Sequence, residues 1–489
     1  MKNLRLIIAV VVLLNVAVIG WLLVHRPEGS GPTTLSSAVD QALSDGTMQQ
    51  SAYDLTDRGA TLNVLLISMD ALRWDRTGVS GNRQGLTPNL DAFAEEAVVF
   101  TDAVAPASWT LPSHMSVFTG RWPSVHGVTN KLKLLSQDQL VPTALSPGIE
   151  TFPDCLIRAG RTAAAFTGGA GVQAAYGFGR GFETYQDDRP FAGLDYGIEP
   201  ALAWLQQHRG QPFFLFLHGY DSHGQYELPE SKRQALKAEF NVDLDGGVEE
   251  QARLREQGLD AIANPGDAAS LQGVLDEEDA RFLAAVYDQK VKDADERLGT
   301  FLDRFRATGL LDDTVVVILS DHGDELMEHG AIDHGYTLYE EQLHVFLMMR
   351  FPGFARRQDI GATVRLLDVF PTVFEALGIE GPQGVDGRSL LPLLRGQAED
   401  LPVFSETDYR LFVHHRMTRR GDYKLILDLA DGEKDLYDLK TDHGEKTDIS
   451  SQNPRETYEL EQTLRGWMDQ TRTNPQDYMG IQQKPIELF

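Results

Sequence analysis

The sequence predicts an α/β protein of three layers, α/β/α, whose central sheet is mixed but largely parallel. Short apolar runs alternate with segments of helical periodicity, a pattern typical of strands joined by crossover helices. Beyond about residue 394 the pattern changes to short segments separated by turn residues, which indicates a small antiparallel sheet packed with a helix. These C-terminal segments are 404–407, 412–418 and 423–427, with a final helix near 455–468.

The first 26 residues are predicted to be a membrane anchor. Lys2 and Arg5 precede an apolar run over 6–24, close to the roughly 20 residues that span a bilayer. No small-residue cleavage site follows closely, so we favour an uncleaved single-pass anchor over a signal peptide, whose removal leaves a secreted protein. Residues 27–60 have the composition of a linker. The rest of the chain is therefore expected outside the cytoplasm, in the periplasm or at the cell surface.

The main domain is predicted over residues 61–393. Its clearest helix covers about 277–306, and Gly309 is expected to end it. An acidic, helix-prone stretch over about 230–276 is interpreted as an insertion over or beside the functional site. Residues 394–489 form the smaller C-terminal subdomain. The clearest strands of the main domain are 64–68, 162–166, 213–217, 315–319 and 344–349.

Composition excludes one class of partner. The chain has 72 acidic and 44 basic residues, a net charge of -28. Such a surface repels nucleic acid unless a basic patch intervenes, and the sequence contains none. The lone Cys155 excludes an intramolecular disulfide and a metal site built from cysteines. An anionic small substrate is not excluded, because a pocket can be locally positive.

Three polar clusters directly follow predicted strands. Asp70 ends the first strand, Asp321 and His322 end another, and His223 lies in the segment 218–223 after a third. In open α/β sheets, ligands bind beyond the carboxyl ends of the strands. A single Asp at such a place is more often a helix cap. Three clusters at equivalent positions indicate a metal or catalytic site.

A fourth cluster covers residues 110–120. Thr110 suits the cap of a helix, Pro112 suits its first turn and Gly120 suits its end. A hydroxyl at a helix N-terminus meets free N–H groups and the positive end of the helix dipole, which stabilise an alkoxide and an incoming anion. The cluster therefore predicts either a well-capped helix or a nucleophile.

Seven motifs occur in one order along the chain: 63–70, 87–91, 112–113 with 118–121, 177–182, 320–325, 384–390 and 435–439. Together they resemble the sulfatase family of the alkaline phosphatase superfamily. The resemblance extends from residue 63 to about 449 and implies the fold described above.

The resemblance also implies one divalent metal ion. Asp70, Asp321 and His322 match the family's ligands, and Thr110 matches its nucleophile, which is a further ligand. An imidazole ligand favours Mn or Zn, although Ca or Mg is possible. Such an ion acts as a Lewis acid and lowers the pKa of the hydroxyl that it binds.

Three further histidines are catalytic candidates. The resemblance implies that His223 and His334 contact the ester or its leaving group, and Asp221 is a candidate to orient His223. Alternatively, Asp221, His223 and His334 hold a second metal ion. His114 lies next to the nucleophile, where it either contacts substrate or occupies the helix surface.

The chain departs from the sulfatase pattern at the nucleophile and around it. Sulfatases carry Cys or Ser, oxidised to formylglycine, where this chain has Thr110, which cannot form that aldehyde. They carry Arg where this chain has His114, and a second aspartate where it has Ala71, which implies one fewer metal ligand. The Lys and His that hold sulfate in arylsulfatases are expected near 167–169, and neither is present.

These departures favour phosphate esters over sulfate esters. A formylglycine hydrate releases sulfate by returning to the aldehyde, whereas a Thr ester has to be cleaved by water or an alcohol. Such cleavage is routine for a phosphoryl-Thr and less plausible for a sulfo-Thr. The sequence therefore predicts a metal-dependent hydrolase of sulfate or, preferably, phosphate mono- or diesters through Thr110.

Two alternatives stay open. Relatives that transfer phosphoethanolamine or phosphoglycerol also use a metal-bound Thr, but they carry several membrane helices where one is predicted here. An inactive surface binding protein is disfavoured, because it has no reason to keep Thr110 together with three metal ligands. The expected partners are an anionic ester substrate and a membrane, without nucleic acid.

Overall fold

The computed structural model describes residues 55–136, 139–263, 271–354, 356–397 and 402–473. The predicted anchor over 1–26 and all but the end of the predicted linker lie outside these ranges. Among helices within the described ranges, none combines the length and the apolar content needed to cross a bilayer.

Buried apolar runs form the strands, and all five predicted strands of the main domain are present. The strands of the described ranges are, in chain order, β1 (Asn63–Met69), β2 (Val98–Val104), β3 (Leu132–Ser136), β4 (Gln139–Pro142), β5 (Thr162–Phe166), β6 (Thr184–Gln186), β7 (Phe213–Gly219), β8 (Thr314–Leu319), β9 (Glu325–Leu326), β10 (Ile332–Asp333), β11 (His344–Arg350), β12 (Gln358–Ile360), β13 (Val364–Arg365), β14 (Val403–Thr407), β15 (His415–Arg420), β16 (Tyr423–Asp428) and β17 (Lys434–Asp438).

The longest helix, Glu277–Ala307, shows why such segments begin and end where they do. Its Asp276 cap accepts hydrogen bonds from the N–H groups of the first turn, and Gly309 takes the left-handed conformation just beyond its end. The α-helices of the described ranges are α1 (Pro88–Ala94), α2 (Thr110–Thr119), α3 (Pro123–His126), α4 (Phe152–Arg158), α5 (Leu194–Gln207), α6 (Glu230–Lys237), α7 (Val248–Ala263), α8 (Glu277–Ala307), α9 (Glu340–Leu343), α10 (Val369–Leu377), α11 (Leu391–Leu394) and α12 (Pro454–Gln470).

The large sheet is mixed and mostly parallel, as predicted. Its strand order is β12-β2-β11-β8-β1-β7-β5-β6, and β13 also pairs with β2. β1 pairs in parallel with β7 and β8, whereas β11 runs antiparallel to β8 and β2.

Helices cover both faces of this sheet, which gives the predicted three layers. Along β1, Val64 and Leu66 pack toward the cluster that includes α2, α4 and α10. Leu65 and Ile67 point the other way, toward the cluster that includes α1, α5 and α8. Burial of each such side chain stabilises the fold by about 1.5–3 kcal/mol.

The C-terminal part forms a four-stranded antiparallel sheet of order β14-β15-β16-β17, as predicted in kind. Leu464 and Trp467 of α12 pack against it. The predicted segment 412–418 becomes a strand only at His415. The preceding Arg410 and Leu411 have φ values of 51° and 63°, so the chain turns there rather than extending.

The strand register brings several carboxyl ends to one edge of the large sheet. Ser68 of β1 lies opposite His218 of β7 and Leu319 of β8. Residues that follow these three positions therefore emerge side by side, and Asp70 and Asp321 are among them.

Candidate metal and catalytic site

Two strand ends bring Asp70, Asp321 and His322 into one buried group. All three residues have no exposed surface. Nε2 of His322 lies 3.6 Å from Oδ1 of Asp70 and 3.4 Å from Oδ2 of Asp321. The structure thus assembles the three residues that the sequence suggested as metal ligands.

The donor atoms of this group fit a divalent cation. Nδ1 of His322 lies 2.8 Å from the carbonyl oxygen of Gly323, so it carries the proton and leaves a lone pair on Nε2. Oδ1 of Asp70 accepts no hydrogen bond within the described ranges, and Oδ2 of Asp321 lies 3.1 Å from Nδ1 of His114. Burial, and then the charge of Asp321, raise the pKa of Asp70 well above its ordinary value. A cation among these lone pairs relieves that repulsion.

Thr110 brings a hydroxyl to the same group. It is the first residue of α2 and its Oγ1 lies 3.3 Å from Nε2 of His322. Trp109 therefore occupies the cap position, one residue before the predicted cap, and Gly120 ends the helix at a φ of 64° as predicted. The free N–H groups of the first turn place positive potential at this end of α2.

A glycine-rich loop packs against Thr110. A Cβ atom added to Gly171 would lie only 2.8 Å from Cβ of Thr110, so glycine is needed for this close approach. Tyr220 holds the loop, because its hydroxyl accepts from the N–H of Gly171 at 2.9 Å and donates to the carbonyl of Gly169 at 3.2 Å. The loop therefore places its backbone directly against Thr110.

His114 supports the site from within the protein. Nδ1 donates to the carbonyl oxygen of Thr110 at 3.0 Å and lies 3.1 Å from Oδ2 of Asp321, while Nε2 bonds the Ser68 hydroxyl at 2.9 Å. Burial lowers the pKa of His114, but the Asp321 carboxylate outweighs it and the net shift is upward. His114 is 1% exposed, so it does not lie on the helix surface. The structure places it against the backbone of Thr110 and the carboxylate of Asp321.

His218 is a supporting residue that the sequence reasoning did not assign. Its Nε2 lies 3.1 Å from Oδ2 of Asp70, so it holds the oxygen that faces away from His322. Burial lowers the pKa of His218 to about 3, which keeps the ring neutral. Its position in the segment 218–223, at the end of a strand, indicates that it lies near the site. Only the fold shows which carboxylate it contacts.

His223 lies on the Oδ1 side of Asp70. Its Nε2 is 3.9 Å from Oδ1 of Asp70, and its ring centroid is 4.7 Å from that of His334. Burial lowers the pKa of His223 well below its ordinary value. Nδ1 accepts from the N–H of Gln225 at 3.1 Å, so Nε2 carries the proton of the neutral ring.

Asp221 does not orient His223. Its Oδ1 lies 2.5 Å from Nη1 of Arg297, and its Oδ2 accepts from the N–H of Leu194 at 2.7 Å. Asp221 thus stabilises the loop that carries His223 from a distance, and it is not in a ligand cluster with His223 and His334 within the described ranges.

His334 is held between two carboxylates. Its Nδ1 lies 2.5 Å from Oδ1 of Asp324 and 2.8 Å from Oδ1 of Asp333. Burial lowers the pKa of His334, but these two carboxylates raise it well above its ordinary value overall. These carboxylates favour the protonated ring, whose centroid lies 4.2 Å from that of His322. Asp324 and Asp333 were not assigned from the sequence.

Comparisons with known proteins show the family to which the chain belongs. The family model "Sulfatase" matches residues 62–379, and the model "N-sulphoglucosamine sulphohydrolase, C-terminal" matches residues 327–474. Arylsulfatase K of Xenopus laevis is 24% identical, over 86% of this chain and 84% of its own length.

Solved structures share the fold. A 2-O GAG sulfatase superposes with a TM-score of 0.68 at 23% identity, over 85% of this chain and 94% of its own. The phosphonate monoester hydrolase of Agrobacterium radiobacter superposes with a TM-score of 0.67 at 20% identity, over 84% of this chain and 96% of its own. Since the family model covers more than half of the chain, this protein belongs to the sulfatase family of ester hydrolases, within the alkaline phosphatase superfamily.

Proposed function

We propose that this protein is a metal-dependent hydrolase that uses Thr110 as its nucleophile and prefers phosphate mono- or diesters to sulfate esters. The observation that carries the proposal is the contact of 3.3 Å between the Thr110 hydroxyl and Nε2 of His322, inside the buried group with Asp70 and Asp321. A threonine that only begins α2 does not require two carboxylates and an imidazole buried beside it.

Asp70, Asp321, His322 and Thr110 would hold the metal ion. One divalent ion, Mn or Zn by preference, would supply Lewis acidity to the ester and would lower the pKa of the Thr110 hydroxyl. His114 and His218 each hold one carboxylate of this set. Such supporting contacts orient ligands and tune their basicity.

The chain's own residues divide the remaining chemistry. Thr110 Oγ1 gives up its proton to solvent and attacks phosphorus as an alkoxide, and the ester oxygen leaves with the electron pair of the broken bond. The protonated ring of His334 attracts the anionic ester and gives a proton to the leaving oxygen. The Nε2–H of His223 donates a hydrogen bond to the ester. Water then attacks the phosphoryl-Thr110 and returns a proton to His334, and the bond from phosphorus to Oγ1 breaks so that Thr110 is free for the next cycle.

The preference for phosphate rests on Thr110 and its surroundings. A threonine ester has no route back to an aldehyde, so its cleavage needs an incoming nucleophile. The loop at Gly171 presents backbone rather than a Lys or His side chain to Thr110. A phosphonate monoester hydrolase shares the fold, although at 20% identity this supports the scaffold alone.

Hydrolysis of sulfated sugars is the second candidate. It is favoured by relatives named arylsulfatase K and delta 4,5-hexuronate-2-O-sulfatase, which are 24% and 25% identical to this chain. Either activity is proposed to act outside the cytoplasm, on the strength of the apolar run over 6–24.

The test is hydrolysis of an aryl phosphate, a diaryl phosphate and an aryl sulfate by the purified full-length chain. We expect phosphoester cleavage that disappears in Thr110→Ala and persists in part in Thr110→Ser, which keeps a hydroxyl. Thr119→Ala is the matched control, because Thr119 is a buried threonine at the other end of α2. Its hydroxyl bonds only the carbonyl of Met115 among described residues.

Each outcome has a distinct meaning. Sulfate cleavage at a rate comparable to phosphate cleavage establishes the second candidate and removes the argument from the missing formylglycine. Turnover that Thr110→Ala leaves intact shows that another group is the nucleophile. Mass spectrometry of acid-quenched enzyme should find the phosphoryl group on the peptide that contains Thr110.

A further inference from the structure

The helix α7 lies in the acidic insertion, to which the sequence alone assigned no role. Val248–Ala263 forms this helix, and part of its surface faces the loops that carry the catalytic histidines. Two side chains on that surface, Gln251 and Arg255, are four residues apart and therefore project from one side of the helix.

Arg255 reaches His334 through one carboxylate. Its Nη1 lies 3.3 Å from Oδ2 of Asp333, whose Oδ1 lies 2.8 Å from Nδ1 of His334. The side chains of Arg255 and Asp333 are 13% and 6% exposed, so this ion pair is largely shielded from water. Asp333 also has a φ of 79°, a conformation that a non-glycine residue keeps only when its surroundings hold it.

Gln251 reaches His223 through a buried lysine. Nζ of Lys290 donates to Oε1 of Gln251 at 3.3 Å, and to the carbonyl oxygens of His223 at 3.0 Å and Gly224 at 3.2 Å. Lys290 is 2% exposed. One turn of α7 is thus connected to the backbone of one catalytic histidine and to the ring of the other.

The helix itself is anchored on its other contacts. Glu256 forms two hydrogen bonds of 2.7 Å with the guanidinium of Arg410, in the C-terminal part. Leu254 and Leu259 are buried, and Leu259 packs in a cluster with Tyr336 and Phe412. These contacts give α7 a fixed position from which it can hold the two loops.

We propose that α7 is a positioning element of the catalytic site: Arg255, through Asp333, and Gln251, through Lys290, set the place of His334 and His223 relative to each other. This inference rests on the proposed function of those histidines. Placement errors of about 1 Å in catalytic groups can cost on the order of a hundredfold in rate, so a helix that fixes two such groups matters for turnover.

The test compares Arg255→Ala with Arg253→Ala in the full-length chain. Arg253 lies on the same helix, but its side chain is 58% exposed. Its ion pair is weak, because Nη2 lies 3.9 Å from Oε1 of Glu250. We expect kcat/KM on the aryl phosphate to fall about 10–100-fold in Arg255→Ala, the usual effect of losing a group that orients a catalytic ligand. Arg253→Ala should keep the parent value.

Chemical rescue separates positioning from general damage. Added guanidinium ion should restore part of the activity of Arg255→Ala, because it can occupy the vacated place beside Asp333. It should not restore His334→Ala. Circular dichroism establishes that each variant is folded. If Arg255→Ala does not fold, Arg255→Lys and Gln251→Ala carry the comparison, each against Arg253→Ala.

Equal kcat/KM for Arg255→Ala and Arg253→Ala overturns the inference, as does a loss that guanidinium fails to reverse in folded protein. The proposed function fails separately, through turnover that survives Thr110→Ala. The two failures are therefore distinguishable.

Discussion

Replacing Arg297 with methionine tests whether one buried ion pair stabilises the loop that carries His223. Nη1 of Arg297 lies 2.5 Å from Oδ1 of Asp221, and the two side chains are 21% and 2% exposed. Methionine keeps the apolar length of arginine and removes its charge. The Asp221 carboxylate then stays buried, with the N–H of Leu194 at 2.7 Å as a remaining donor.

The expected loss follows from that burial. Removing one partner of a buried pair costs about 3–5 kcal/mol, and the partial exposure of Arg297 favours about 3 kcal/mol. Unfolding entropy of about 2.1 cal/mol/K per residue, over a unit of roughly 400 residues, converts this into a fall of about 3–4 °C in melting temperature. Burial raises the pKa of Asp221 while Arg297 opposes the rise, so the variant's deficit should shrink as the pH falls and the carboxyl is protonated.

The control is Arg304→Met on the same helix, α8. Arg304 pairs with Glu199, but these side chains are 44% and 73% exposed, and such pairs contribute about 0–1 kcal/mol. Melting of both variants is followed by calorimetry, with turnover of the aryl phosphate measured beside it. Equal melting temperatures for the two variants would refute the reasoning that burial decides the value of the pair.

Three further perturbations have definite expected results. Gly171→Ala places a Cβ 2.8 Å from Cβ and Cγ2 of Thr110, so kcat should fall on the order of a hundredfold, and Thr110→Ser in the same chain should recover part of it; a normal kcat contradicts the packing. Chelation should abolish turnover and lower the melting temperature, because an ion at a hundred times its Kd stabilises by about 2.7 kcal/mol; restored melting after addition of Mn or Zn confirms the site. Burial raises the pKa of Glu325 to about 8, above the unfolded value, so folding stability is lost as the pH rises from about 5 to 8. Glu325→Gln should therefore melt with less dependence on pH than the parent over that range, and parallel profiles contradict this.

The sheet was predictable because its strands are buried on both sides. The segments at 64–68 and 315–319 read as continuous apolar runs, and they become β1 and β8 with almost the same bounds. The antiparallel C-terminal sheet was predictable, but the bounds of its strands were less so. Because Arg410 and Leu411 have positive φ, β15 begins later than predicted. The residue types at these two positions do not predict such a turn.

The metal group could be suggested from sequence for a related reason. Asp70 and Asp321 each follow a strand, and parallel strands end at one edge of a sheet, so proximity follows from topology. His114 shows the limit of that reasoning. Its position near Thr110 in the chain allowed a substrate contact or a place on the helix surface, whereas the fold buries it against Ser68 and Asp321.

The sequence by itself determined the family and the class of fold and suggested which residues could hold a metal ion, because these depend on local patterns and on motifs in a set order. Only the tertiary structure decided which side chains contact one another around the site. Asp221 pairs with Arg297, His334 lies between Asp324 and Asp333, and α7 reaches both histidine loops. Such pairings join segments far apart in the chain, and their geometry is set by packing across the whole domain rather than by any local pattern.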